Sequence, residues 1–225
     1  MKSYFRMSAA DDIGEILLFD EIADDSWPAF DAELKALGAV KNINLRINSP
    51  GGNVFDAMAI FNAIKQHSAE VTATVDGIAA SAASLIAMAA DKIVMPENSF
   101  MLIHQPSGMT IGTSDDHATM AANLQRMTDQ FASVYATRSR NSLSSVKALM
   151  REDRLMTAAE AKKSGYCDEV TDNVRMAAMF EPSKLPPRTA KAFNKALALS
   201  ASMADHKGEW RRLQAIVKAQ MGIRA

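Results

Sequence analysis

Two patterns of apolar residues alternate along most of the chain. Apolar residues at every second position predict strands, and apolar residues spaced three or four apart predict helices. Strands are predicted over residues 14–19, 43–47, 71–75, 92–95 and 101–104. Helices are predicted over 26–37, 54–64, 82–89 and 114–138, and from a capping box at 157–160 to Gly165.

Local signals set the ends of these elements. Ser26 is predicted to cap the first helix, and Gly38 to end it. Asp76 and Gly77 are predicted to break the strand over 71–75. The helix over 82–89 is rich in small residues and is predicted to be buried on all sides. Because strands and helices alternate, the sequence predicts an α/β fold with mostly parallel strands.

Composition narrows the class of protein. The 225 residues are 48% hydrophobic and 23% charged, which argues against a mainly disordered chain. The net charge of −1 argues against a nucleic-acid partner. The single cysteine, Cys167, fits a reducing compartment. Because no apolar run is long enough to cross a bilayer and the first dozen residues lack a secretory pattern, we predict a soluble cytoplasmic protein without a membrane partner.

The charge is concentrated at the C-terminal end. Residues 183–225 hold nine Lys and Arg against two acidic residues. Residues 183–187 include Pro186 and Pro187 and are typical of a linker. We therefore predict a folded domain over 1–182 and a basic extension over 183–225, which is either partly helical or a solvated tail.

The sequence lacks the motifs of several common binding sites. The chain has neither a phosphate-binding P-loop motif nor a dinucleotide fingerprint. Its four histidines are scattered and no cysteine pair exists, so neither a metal site nor a cofactor is predicted.

Four features remain that can carry chemistry. Ser81 follows a glycine turn and begins the helix of small residues, so it is either an ordinary helix cap or a hydroxyl activated at the positive end of that helix. His104 ends a strand and is either a general base or a half-buried structural histidine. Gly51 and Gly52 can present backbone N–H groups or form a plain turn. Asp153 lies in a charged run that is otherwise typical of solvated surface.

In order along the chain, these features resemble the ClpP family of serine peptidases. The similar segments are 48–52 (NSPGG), 77–83 (GIAASAA), 103–106 (IHQP) and 153–161 (DRLMTAAEA). Segments 47–57, 75–77 and 95–98 are most similar to the branch found in tailed bacteriophages, the ClpP-like prohead proteases.

The resemblance implies a fold and a set of site residues. The fold would be the ClpP/crotonase-like superhelix of β-β-α units. Ser81 would be the nucleophile, His104 the base and Asp153 the orienting acid, with Glu152 as the alternative acid. The N–H groups of Gly52 and Ala82 would form the oxyanion hole. A peptide substrate would pair as a strand with residues on two segments: Gly52, Asn53, Val54 and Phe55, and Pro106, Ser107 and Gly108.

The resemblance also implies a biological role. The chain would be a ring-forming homo-oligomer, with the helix over 114–138 packing between rings. It would be an ATP-independent endopeptidase that cuts phage scaffold, portal or capsid precursor in the host cytoplasm or inside the prohead. Independence of ATP is expected because only about a dozen residues precede the first predicted strand. The extension over 183–225 has no counterpart in the family, and its own positive charge suggests that it docks an acidic scaffold or capsid protein.

Three alternatives remain open. The first is the proteolytic subunit of a cellular Clp machine with a separate unfoldase. The second is a crotonase-type acyl-CoA enzyme, which shares the superfamily fold. The third is an inactive peptidase-like protein that only scaffolds assembly.

Overall fold

Strands and helices alternate through residues 5–10 and 12–172, which are the residues that the computed structural model describes. The strands are β1 (Phe5–Ala10), β2 (Ile13–Phe19), β3 (Asn42–Ser49), β4 (Glu70–Ala80), β5 (Lys92–Pro96), β6 (Phe100–Leu102), β7 (Leu155–Thr157) and β8 (Glu169–Thr171). The helices are α1 (Ser26–Leu37), α2 (Val54–Gln66), α3 (Ala82–Ala87), α4 (Ser114–Ser139), α5 (Leu143–Glu152) and α6 (Ala158–Lys163).

All of these strands belong to one sheet. Its main path runs β1-β2-β3-β4-β5-β8, and β6 leaves this path by pairing with β4 and with β7. The β1–β2 and β6–β7 pairs are antiparallel, and the other pairs are parallel. This arrangement confirms the predicted α/β class with mostly parallel strands.

The core lies where apolar residues of neighbouring strands are in register. Ile16 is opposite Leu45, Leu45 is opposite Ala73, and Ala73 is opposite Ile93, and all four are fully buried. The apolar residues of α3 belong to the same hydrophobic core, and the whole helix is buried as predicted. The strand order is therefore fixed by one continuous apolar layer between the sheet and its helices.

Strand β4 does not break at Asp76 and Gly77, so that prediction is wrong. Asp76 is buried, and its carboxylate accepts hydrogen bonds from Nε and Nη2 of Arg46 on β3. Gly77 leaves room for Asn48, whose Oδ1 would lie 2.7 Å from a Cβ at this position. Because Arg46 offsets the buried charge of Asp76 and Gly77 makes room for Asn48, the strand passes through a register shift and continues to Ala80.

Short elements at the edges differ from the prediction. β1 lies within the dozen residues that were predicted to precede the first strand, and α5, β7 and β8 were not predicted. The N-cap of α1 is Asp25, not Ser26 as predicted, because the Ser26 hydroxyl donates to the carbonyl of Ala23 instead. The capping box of Thr157 and Glu160 is present and confirms the predicted start of α6. The extension over 183–225 and the predicted boundary before it lie outside the described residues.

Candidate active site

A sharp turn joins β4 to α3 at Ser81. The Ser81 backbone has φ 53° and ψ −126°, a conformation that side chains rarely adopt. Its N–H donates to the carbonyl of Leu102 on β6, which holds the turn beside the end of that strand. Ser81 occupies the N-cap position, but its side chain makes no capping hydrogen bond. The hydroxyl is therefore not used as an ordinary helix cap.

His104 follows β6 and reaches this hydroxyl. Its Nε2 atom lies 2.6 Å from Oγ of Ser81, a hydrogen-bond distance. Gln105, the next residue, donates its N–H to the carbonyl of Met150, which ties the loop to α5. Burial lowers the pKa of His104 below the ordinary imidazole value, and the negative charge of Asp153 opposes this effect. The imidazole is therefore largely neutral at pH 7 and can accept a proton.

Asp153 supplies the carboxylate on the other side of the imidazole. It ends α5 in the left-handed conformation, with φ 50°. Its Oδ1 lies 3.4 Å from Nδ1 of His104, and this oxygen is buried without hydrogen-bond geometry to any described residue. The pair is longer than a hydrogen bond, and it becomes an ion pair when the imidazole is protonated. Glu152 is exposed on the last turn of α5, so the carboxylate placed beside His104 is that of Asp153.

A glycine loop closes against the Ser81 turn. Gly51 has φ 93°, and a Cβ there would lie 2.6 Å from the carbonyl of Ala80 and 2.8 Å from the nitrogen of Ala82. Gly52 has φ 144°, and a Cβ there would lie 2.1 Å from the carbonyl of Ile22. Only glycine fits both positions, because each combines a left-handed backbone with a close backbone neighbour.

Two backbone N–H groups at this junction make no backbone hydrogen bond to any residue that the structure describes. The loop uses the carbonyl of Gly51 and the N–H of Asn53 in its backbone hydrogen bonds to Ile22, and Gly52 N–H takes no part in them. Gly52 is exposed. Ala82 begins α3, so its N–H has no acceptor within the helix.

The residues predicted to bind substrate flank the same junction. Asn53 caps α2 by accepting from the N–H groups of Phe55 and Asp56, so its side-chain oxygen is already engaged. The Phe55 side chain is 73% exposed. Ser107 and Gly108 are exposed in a segment outside the strands and helices, and Val54 and Pro106 are partly buried. Val54 and Phe55 already belong to α2, and Gly52 forms an isolated parallel bridge with Ile22. The expectation that a substrate strand pairs with Val54 and Phe55 is therefore wrong, because helical residues offer no extended edge. Pro106, Ser107 and Gly108 lie outside the described strands and helices.

Two buried hydroxyl groups, those of Ser84 and Tyr135, contact each other next to the Ser81 turn. Ser84 is buried, and its Oγ lies 2.8 Å from the hydroxyl of Tyr135 on α4. Sequence reasoning missed Tyr135, because the apolar spacing of α4 was assigned to its neighbours Phe131 and Val134. A polar-tipped side chain next to that apolar stripe was the available signal.

Other kinds of site find little support in the part of the chain that the structure describes. No group of three or more His, Cys, Asp or Glu residues there could hold a metal ion. None of the helices described is both long and apolar enough to cross a membrane. Cys167 is buried, and burial raises the pKa of its thiol, so the reactive thiolate form is disfavoured.

Comparison with known proteins identifies the family. The family described as Clp protease matches residues 2–174 of the chain. The chain belongs to the Clp protease family. This membership confirms the resemblance to the ClpP peptidases, whereas the narrower assignment to the phage prohead branch stays a prediction.

Individual Clp proteases are similar over most of their length. The ATP-dependent Clp protease proteolytic subunit of Bacteroides fragilis is 35% identical over 160 residues, which are 69% of this chain and 77% of the relative. The subunit of the same name from Bacteroides thetaiotaomicron is 33% identical over 160 residues, or 69% and 73% of the two chains. That of Chlorella vulgaris is 34% identical over 133 residues, or 58% and 66%.

Proposed function

We propose that this protein is a serine endopeptidase in which Ser81 is the nucleophile, His104 the general base and Asp153 the orienting acid. The observation that carries the proposal is the 2.6 Å contact between Oγ of Ser81 and Nε2 of His104. A neutral imidazole at this distance can take the hydroxyl proton as the oxygen attacks a peptide carbonyl. The nearby carboxylate favours the tautomer with its proton on Nδ1 and stabilises the imidazolium that forms.

The reaction proceeds through an acyl-enzyme. Attack by Ser81 forms a tetrahedral intermediate, whose negative oxygen is stabilised by the N–H groups of Gly52 and Ala82. His104 returns its proton to the leaving amine, and the peptide C–N bond breaks. A water molecule then gives a proton to His104 and attacks the ester, which releases the new carboxyl end and restores the Ser81 hydroxyl.

The substrate is an extended peptide lying between two segments beside the Ser81 turn. One segment comprises Gly52 and Asn53, just before α2 begins at Val54, and the other comprises Pro106, Ser107 and Gly108. The exposed ring of Phe55 at the rim offers an apolar contact to a substrate side chain. Because backbone pairing is independent of sequence, this mode suits an endopeptidase that accepts protein substrates.

The working form is a homo-oligomer in which several copies of the chain form a ring. Met109 and Ile111 are 85% and 91% exposed just before α4, and the first turns of that helix are also exposed. Large apolar side chains with this exposure are typical of a protein–protein contact. A second copy of the chain is the partner that family membership favours.

Its biological substrates are head assembly proteins of a tailed phage, namely scaffold, portal or capsid precursor, cut without ATP. The support for this role is the similarity of segments 47–57, 75–77 and 95–98 to the prohead branch. Residues 183–225 would dock the assembly protein through their positive charge. The protein would act in the host cytoplasm or inside the prohead.

A second role, as the proteolytic subunit of an ATP-dependent Clp machine, is favoured by the names of the cellular relatives. The acyl-CoA enzyme and the inactive scaffold are less favoured, because neither requires a hydroxyl and an imidazole in contact.

Labelling with a fluorophosphonate probe tests the peptidase. We expect the probe to modify wild-type protein at Ser81 and to leave Ser81→Ala unmodified. Ser133→Ala, which changes an exposed serine of α4, is the matched control and should label fully. A folded wild-type oligomer that does not react would contradict the proposal.

A separate experiment distinguishes the two roles. The chain and its Ser81→Ala variant are each co-expressed with phage scaffold, portal and capsid precursors, and the products are analysed by mass spectrometry. Discrete cleavages by the wild-type protein without an unfoldase support the role as a head protease. If residues 183–225 dock the assembly protein, deleting them should weaken co-assembly while hydrolysis of a small ester persists. Cleavage of folded proteins only with a Clp unfoldase and ATP supports the cellular role.

A further inference from the structure

The backbone carbonyl of Ser81 is held from the side opposite to the candidate site. Ser84, one turn into α3, donates to this carbonyl from its N–H at 2.9 Å and from its Oγ at 2.7 Å, and the Leu85 N–H makes a longer contact of 3.4 Å. The Oγ of Ser84 also lies 2.8 Å from the hydroxyl of Tyr135. Tyr135 reaches this point from α4, 51 residues away along the chain.

The directions of these hydrogen bonds follow from the chemistry of the groups. A carbonyl only accepts, so the single hydroxyl proton of Ser84 is directed at Ser81. The Tyr135 hydroxyl must therefore be the donor in its contact with Ser84. Burial raises the pKa of Tyr135, which keeps this phenol protonated and able to donate. The result is one directed chain from Tyr135 through Ser84 to the Ser81 carbonyl.

Because the peptide bond is planar, holding the Ser81 carbonyl also orients the Ala82 N–H. The carbonyl of Ser81 and the N–H of Ala82 belong to the same peptide unit, and in a trans peptide they point in opposite directions. Fixing the carbonyl therefore fixes the direction of Ala82 N–H. The constraint matters here because Ser81 has φ 53° and ψ −126°. This backbone conformation is strained and persists only where the surrounding structure holds it.

We propose that Ser84 and Tyr135 are positioning residues that aim the Ala82 N–H at the developing oxyanion. The proposal rests on the proposed function, because it takes Ser81 as the nucleophile and Ala82 N–H as a donor. Neither side chain touches the substrate. Ser84 acts on the peptide unit, and Tyr135 acts through Ser84.

The burial of the pair argues that it does more than fill space. Both side chains are almost fully buried. Alanine and phenylalanine would fill similar volumes without placing two hydroxyls in an apolar interior, where each requires a partner. The rings of Tyr135 and Tyr166 pack edge to face, with ring centroids 6.2 Å apart.

The test compares Ser84→Ala, Tyr135→Phe and the double variant with wild type. Tyr166→Phe is the matched control, since it removes a neighbouring buried phenol that does not contact Ser84. Three quantities are measured: kcat and KM on a peptide substrate, inhibition by a peptide boronic acid that imitates the tetrahedral intermediate, and stability to urea.

We expect Ser84→Ala to lower kcat about tenfold, because the backbone N–H groups of Ser84 and Leu85 still hold the carbonyl. This is less than the 10²–10³-fold loss for removing a donor outright. KM should stay unchanged, and boronic acid affinity should fall by the same factor as kcat. Tyr135→Phe should lower kcat by about threefold, because Ser84 keeps its own bond to the carbonyl. Tyr166→Phe should behave like wild type.

The double variant separates positioning from stability. Ser84→Ala leaves the Tyr135 phenol buried without its partner, so adding Tyr135→Phe should restore stability while kcat stays low. If kcat recovers together with stability, or if both single variants keep wild-type kcat, the inference is wrong while the proposed function stands. If wild-type protein neither labels at Ser81 nor hydrolyses peptides, the proposed function fails and the inference fails with it.

Discussion

Oγ of Ser81 lies 2.6 Å from Nε2 of His104, and the sheet accounts for this contact. β4 and β6 are parallel neighbours in which Ala80 lies opposite Leu102. Both strands therefore end at the same edge, and the side chains that follow them meet there. The contact is thus set by strand register, which is more rigid than loop packing.

The pH dependence of peptide hydrolysis should reflect the lowered pKa of His104. Because the general base must be neutral, kcat/KM should rise with pH through a midpoint below the ordinary imidazole value of 6.5 and level off above it. The Asp153 charge raises the pKa of His104, so Asp153→Asn should move the midpoint to lower pH. The measurement is kcat/KM from pH 4 to pH 9 for both proteins.

Asp153→Asn should also lower kcat by about 10³–10⁴-fold, because the imidazole loses its orienting carboxylate. Glu152→Gln is the matched control and should keep the wild-type profile, since Glu152 is exposed. A large loss in Glu152→Gln with an active Asp153→Asn would reverse the assignment of the acid.

Backbone strain at Ser81 should be measurable as stability. The left-handed φ of 53° costs a residue with a side chain about 1–3 kcal/mol, whereas glycine tolerates it. Ser81→Gly should therefore raise the free energy of unfolding by about 1 kcal/mol while hydrolysis is lost. Ser81→Ala also loses activity but keeps the strain, so it should not gain stability. Equal stability of the two variants in urea would show that the turn is not strained.

Gly52 should tolerate no side chain. A Cβ there would lie 2.1 Å from the carbonyl of Ile22, so Gly52→Ala must displace the loop and its N–H. We expect kcat to fall by about 10²–10³-fold, as for loss of one oxyanion donor. Gly38→Ala is the control: its φ of 73° is also left-handed, but nothing lies within 4 Å of the added carbon.

The two glycine variants are compared by kcat and by thermal unfolding. Gly38→Ala should lose about 1 kcal/mol of stability and keep wild-type kcat. If Gly52→Ala hydrolyses peptides at the wild-type rate below its unfolding temperature, Gly52 N–H is not a donor in the reaction.

Periodicity and capping predicted the long elements, because those signals are local. α4 has 26 residues, and the Thr157–Glu160 capping box lies within four positions, so both could be recognised in the sequence. β7 and β8 have three residues each and contain Thr or Glu, so they lack the uninterrupted apolar run that predicted the equally short β6. The group of Ser81, His104 and Asp153 came from motif order, since no local rule brings such distant residues together.

What the sequence did not predict depends on partners far along the chain. β4 continues through Asp76 because Arg46, 30 positions earlier, binds one oxygen of its carboxylate and offsets its charge. Ser84 was recognised as buried, but its partner Tyr135 lies on a helix whose rotation about its axis could not be fixed from spacing alone. The same applies to the distance between His104 and Asp153, which depends on how α5 ends.

The ion pair of Arg46 and Asp76 should contribute more to the free energy of unfolding than an exposed pair such as Lys41 and Asp12. The Asp76 side chain is 5% exposed, and its second oxygen, Oδ2, has no hydrogen bond to any described residue, so Arg46 supplies the compensation for its charge. The pKa of Arg46 is raised by its hydrogen bond to Asp76, which keeps the guanidinium charged.

Arg46→Met should lower the free energy of unfolding by about 2 kcal/mol, less than the loss of a fully buried partner because the Arg46 side chain is 44% exposed. Lys41→Met breaks the pair with Asp12, whose side chains are 78% and 56% exposed, and should cost no more than about 0.5 kcal/mol. Urea unfolding of both variants at pH 7 measures the difference. Equal losses would mean that Asp76 is hydrated in solution, and the continuation of β4 to Ser81 would then need a cause other than this pair.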